Sequence, residues 1–173
     1  MTPSPNRNQL ALIAMTLLII IALVLIIWLS PRPFVIWNTS KSVPVGWYWV
    51  EHRAPKLHDI AVVKLDSWPQ VYAAERGYLP EKVWLLKPIA ATFPTLVCRF
   101  GNNDFVDGKL AARARNFDHR LRLLPLWKGC LMLKSDELFV IAGPKKSFDS
   151  RYFGPIKLSQ VAGVAHRLHS PFE

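Results

Sequence analysis

Leu10 to Leu29 runs for 20 residues without a charge, a proline or a glycine. At 1.5 Å per residue a helix of that length spans about 30 Å, the thickness of a bilayer core. A helix buried in a soluble core carries a polar stripe, and here only Thr16 interrupts the apolar run. The segment therefore reads as one transmembrane helix. Its end, Ile-Ile-Trp-Leu-Ser-Pro, lacks the small residues of a cleavable leader, so the helix is expected to stay as an anchor in the lipid bilayer. That divides the chain into a tail at 1–9, an anchor at 10–29 and a domain at 31–173. Arg7 lies on one side of the run, and Arg32 and Lys41 on the other, so local charge leaves the orientation open. A cytoplasmic tail with an exported domain is the commoner arrangement for so short a tail.

The 143 residues from Pro31 to Glu173 are enough for one self-sufficient core. Short apolar and β-branched runs recur at Trp47–Val50, Ile60–Leu65, Val83–Ala91, Thr95–Phe100, Cys130–Leu133, Leu138–Ala142 and Val161–His166. Gly101–Asp104 and Asp107-Gly108 read as turns between strands. Gln70–Gly77 reads as a short helix or a loop. The expected class is mainly β, a barrel or sandwich. The net charge of +10 suits an anionic partner, but the basic residues are scattered, so no nucleic-acid groove is indicated. Cys98 and Cys130 have no metal-ligand spacing. They read as one disulfide in an exported domain, or as two buried thiols in a cytosolic one. No cofactor or metal motif appears, and His166 and His169 read as surface residues.

Three stretches carry chemistry. In Asn38–Tyr48, Ser40 and Ser42 stand two apart, followed by Pro44 and Gly46. Proline and glycine stiffen a turn that could hold out a nucleophilic serine, or simply form a loop. Asn38-Thr39-Ser40 matches a glycosylation acceptor, discounted so close to the membrane. In Val83–Ala91, Lys87 is the single charge in an apolar run. It is either an edge-strand lysine that snorkels to water or a desolvated general base. The second reading needs its pKa lowered towards neutrality, a loss of solvation worth roughly 4 kcal/mol. In Ser147–Ile156, Asp149 and Arg151 would share one face of a strand. They make either a surface ion pair or a pin between two segments.

Taken together and in this order, these stretches resemble the signal peptidase I superfamily, most closely its TraF-type conjugal transfer peptidases. Ser40, Ser42, Pro44, Gly46 and Tyr48 match the serine box, and Lys87-Pro88-Ile89-Ala90-Ala91 the lysine box. Phe148-Asp149-Ser150-Arg151-Tyr152-Phe153-Gly154-Pro155 matches the closing box. Thr92-Phe93-Pro94-Thr95 departs from the family's Leu-Pro-Gly-Asp and puts that turn in question. The resemblance implies a signal-peptidase-like β domain and a serine protease without histidine. Ser42 would be the nucleophile and Lys87 the base, with the Ser42 N–H and the Ser40 hydroxyl as oxyanion hole. Ser147 would orient the lysine, Asp149 and Arg151 would support it, and Cys98 would pair with Cys130. It further implies a pilin-like precursor as substrate, possible cyclisation of the product, and a periplasmic domain on the bacterial inner membrane. The alternatives are a general leader peptidase and a non-catalytic assembly subunit of the same fold.

Overall fold

The computed structural model describes residues 6–29, 32–80, 83–143 and 147–168, which leaves His169 outside the described residues. The chain divides into two compact units, Met1–Pro33 and Phe34–Glu173. The first contains α1 (Arg7–Leu29), which is long and apolar enough to cross a membrane, with mean hydropathy 2.5 over Arg7–Leu25. Asn6 and Gln9 cap its start reciprocally, each side chain accepting the other's backbone N–H at 2.9–3.0 Å. Thr16, the one polar interruption, donates its hydroxyl to the Leu12 carbonyl at 2.9 Å. The helix thus satisfies its own polar side chain internally.

The second unit is mainly β, with two antiparallel sheets. The larger is built from β1 (Val35–Asn38), β2 (Gly46–Glu51), β3 (Ile60–Lys64), β4 (Trp84–Thr92), β9 (Glu137–Val140), β10 (Ile156–Lys157) and β11 (Val161–Arg167). Their spatial order is β1-β2-β11-β3-β4-β9-β10, so β11 is inserted between β2 and β3. It fits because Gly163, beside a bulge, lies against the Glu51 carbonyl. A Cβ there would come within 2.4 Å of that oxygen. The smaller sheet has the order β7-β6-β5-β8, from β5 (Leu96–Phe100), β6 (Asn103–Val106), β7 (Lys109–Arg113) and β8 (Gly129–Met132). Cys98 and Cys130 face each other across β5 and β8 and are joined as a disulfide.

Of the two readings of Gln70–Gly77 the helix holds as far as Glu75, within α2 (Ser67–Glu75). Two expectations change. The turn after β5 is only Gly101-Asn102; Asn103 and Asp104 are already strand, with Asp104 registered opposite Arg99. Ser150–Phe153 is a short helix, α3, not strand. Asp149 caps it by accepting the Arg151 N–H at 3.2 Å, which breaks the alternation that a strand would need.

The main core packs Ala61, Val63, Leu85, Ile89, Val140 and Phe148 with their neighbours on one face of the large sheet. β4 lies between β3 and β9, and is not an edge strand. Its odd-numbered residues Leu85 and Ile89 point into this core, and Lys87 lies between them on the same strand. The lysine is 5% exposed, which overturns the snorkelling alternative.

Candidate active site

The serine loop connects β1 to β2, and Asn38, the last residue of β1, organises it. Its amide Nδ2 donates to the carbonyls of Ser40, Val43 and Pro44 at 2.8, 3.1 and 3.0 Å. Its Oδ1 accepts the Ser40 N–H at 3.1 Å and the Ser40 hydroxyl at 3.0 Å. From β2, the buried Tyr48 donates its hydroxyl to the Pro44 carbonyl at 2.8 Å. Gly46, at φ +146°, makes the return into β2 in a conformation side chains rarely adopt. The loop is thereby wrapped around one amide, and Asn38, 5% exposed with its nitrogen engaged, is no glycosylation acceptor.

Ser42 is half-buried, and its Oγ lies 3.1 Å from Lys87 Nζ and 3.2 Å from Ser147 Oγ. Lys87 Nζ lies 2.6 Å from Ser147 Oγ. Two hydroxyls and one amine from residues 42, 87 and 147 thus form a closed triangle. Burial pulls the Lys87 pKa down to about 8, against an upward pull from Asp149 and with a further downward push from Arg151. An amine with that pKa is neutral in about one molecule in ten at pH 7, enough to accept a proton.

Behind the triangle the closing box is buried, with Asp149 and Ser150 fully so and Arg151 2% exposed. Asp149 accepts from Arg151 Nε and Nη2 at 2.8 and 2.7 Å and from the Ala142 N–H at 3.0 Å. Arg151 Nη2 also donates to the Ala142 carbonyl at 2.9 Å, and Ser150 Oγ accepts the Val140 N–H at 3.0 Å. The pair is therefore a pin between the box and the end of β9, not a surface ion pair. Asp149 acts on Lys87 through its charge.

Of the expected site residues, Ser42, Lys87 and Ser147 come together, with Asp149 and Arg151 behind them. The Ser40 hydroxyl points to Asn38 instead. The Thr92–Thr95 departure is a tight connection into β5 with a cis Phe93–Pro94 peptide. Asn38 escaped the sequence reading because its partners lie two to six residues ahead in a loop without periodicity. The motif that names the loop was the only signal.

The profile of the signal peptidase family, peptidase S26, matches residues 7–169. The plasmid transfer protein TraF of Escherichia coli is 30% identical over 139 residues, covering 73% of this chain and 78% of its own. Among solved structures, a signal peptidase I from Enterococcus faecalis is similar at 18% identity and a TM-score of 0.39, over 66% of this chain and 98% of that one. The family match runs from the apolar helix to the last described strand and takes in all three boxes. The chain belongs to the signal peptidase family, peptidase S26.

Proposed function

We propose that the chain is a membrane-anchored serine endopeptidase that uses a Ser42–Lys87 dyad to process a pilin-like precursor for a conjugative or related secretion system. The observation that carries this reading is the buried Lys87 amine 3.1 Å from the Ser42 hydroxyl. Neutral Lys87 accepts the Ser42 proton as Oγ attacks the scissile carbonyl. The ammonium so formed returns the proton to the leaving amine, which leaves the acyl group esterified to Ser42. Water then releases a linear product, or an amine of the same substrate releases a cyclic one. Ser147 holds the amine towards Ser42. The Ser42 N–H and the Ser40 hydroxyl, turned away from Asn38, stabilise the oxyanion, a role worth about 3 to 4 kcal/mol per donor in a comparable hydrolase.

Conjugation is supported by the likeness to TraF, which is named as a plasmid transfer protein. The apolar helix supports a single-pass arrangement in the bacterial inner membrane, with residues 1–9 cytoplasmic, 10–29 spanning and 31–173 periplasmic. Processing of a pilin-like precursor in cells by wild type, Ser42→Ala and Lys87→Ala tests the dyad, with membrane levels matched. Loss of cutting in both variants is expected, and product mass separates a linear product from one lighter by a water. Continued cutting by both would remove the dyad and favour the assembly-subunit alternative.

A further inference from the structure

Behind the candidate site lies a polar group that the dyad chemistry does not use. Arg99, on β5 beside Cys98, is 2% exposed, and Asp104 opposite it on β6 is fully buried. Their closest approach is 3.8 Å, and both Asp104 oxygens and Arg99 Nη2 have no hydrogen-bond partner among the described residues. Burial pushes the Asp104 carboxyl up to about 6 and the Arg99 guanidinium down. An ion pair so poorly joined is a weak source of stability. What Arg99 does hold is backbone: Nη1 donates to the Arg151 carbonyl and Nε to the Gly101 carbonyl at 3.2 Å.

A second donor acts one residue away. Trp127 Nε1 donates to the Ser150 carbonyl at 3.1 Å, and the Arg99 guanidinium faces the Trp127 ring at 5.9 Å. Consecutive carbonyls of the closing box are therefore gripped by two side chains of the smaller sheet and its approach. Arg99 directly follows Cys98, and Trp127 precedes Cys130 by three residues. The disulfide ties β5 to β8, and with them the two donors.

We propose that Arg99 and Trp127 are positioning residues, through which the disulfide-closed sheet holds Ser150 and Arg151 and so sets where Ser147 and Asp149 meet Lys87. The inference rests on the Ser42–Lys87 reading. Lys87 is faced by the Ser42 and Ser147 hydroxyls and by the charges of Asp149 and Arg151. Arg99 is faced by Asp104 from β6 and Tyr152 from α3. Without Arg99 the Arg151 carbonyl loses its side-chain donor, α3 shifts, Arg151 neutralises Asp149 less well, and water reaches the amine. Both changes favour the Lys87 ammonium.

The test is the pH dependence of precursor cleavage by the full-length chain in detergent, with a pilin-like precursor cut after a small residue. Wild type, Arg99→Met, Arg99→Lys, Trp127→Phe and Ser42→Ala are compared. Arg99→Met is expected to move the half-maximal pH of kcat upward by about one, to lower kcat at pH 7.5 roughly tenfold and to leave KM within about twofold. Arg99→Lys should recover part of the loss. Trp127→Phe keeps an aromatic ring there but removes the indole N–H together with its five-membered ring, so it decides the matter if Arg99→Met does not fold; a loss of about threefold with the same alkaline movement is expected. Unmoved pH limbs in the folded variants, with or without a lower amplitude, overturn the positioning role. Cutting by Ser42→Ala overturns the dyad itself, a different result from an inactive Ser42→Ala beside an unaffected Arg99→Met.

Discussion

Lys87→Met should make the domain more stable while abolishing its activity. The wild-type lysine is ionised in the unfolded chain up to its ordinary pKa of 10.5, and in the folded chain only up to about 8. That difference corresponds to about 3 kcal/mol of folding free energy lost below pH 8, where both states carry the proton and the folded one carries it in the core. Between pH 8 and 10.5 the unfolded chain binds more protons, so wild-type stability rises with pH through that window. Methionine fills a similar volume between Leu85 and Ile89 and removes the penalty. It also removes the contacts to Ser42 and Ser147, but those hydroxyls already lie 3.2 Å apart and can pair with each other. A loss of about 1 kcal/mol covers this. The net gain at pH 7 is about 2 kcal/mol, or roughly 4–8 °C in Tm for a domain of this size. Thermal unfolding of the full chain in detergent, followed by circular dichroism from pH 7 to 10.5, measures it. The advantage should shrink steadily above pH 8. A variant less stable than wild type at pH 7, or an advantage independent of pH, refutes the burial argument.

Ser147→Ala removes the hydroxyl 2.6 Å from the amine while leaving Ser42 and Lys87 in place. Its kcat for precursor cleavage should fall about 10- to 100-fold with KM nearly unchanged, the cost of one misdirected contact of about 1–3 kcal/mol. Asn38→Leu withdraws the donor of three loop carbonyls and the acceptor of two Ser40 groups. It should cost about 2–4 kcal/mol in thermal unfolding and most of the cleavage rate.

The parts of the molecule legible in the sequence are those where chemistry and position coincide. Lys87 stands out because one charge interrupts an apolar run, and burial of a strand is what such a run encodes. Ser42 is framed by a proline and a glycine that shape its own loop. What escaped depends on partners far away in sequence or on a wrong local period. Asp149-Ser150-Arg151 alternates like a strand, yet aspartate before a short run ending in Gly154-Pro155 is equally a helix cap and stop, and the cap prevailed. Asp104 looked like a turn residue because acidic residues after Gly-Asn usually are; its burial goes with its place opposite the buried Arg99 across β5 and β6, a pairing that no local pattern announces. The sheet order, with β11 between β2 and β3, leaves no local trace.

That insertion also has a temporal side. Ser42 belongs to the β1–β2 hairpin and Lys87 to the β3–β4 pair, and among the described residues β11 is the strand that pairs with both halves, with β2 on one side and β3 on the other. Ribosomes deliver the hairpin and the lysine strand long before residue 161. Until the final strand arrives there is no continuous sheet to bring hydroxyl and amine to 3.1 Å. A chain interrupted before β11 therefore holds Ser42 and Lys87 in two separate strand pairs, so the meeting of hydroxyl and amine waits on completion of the last strand.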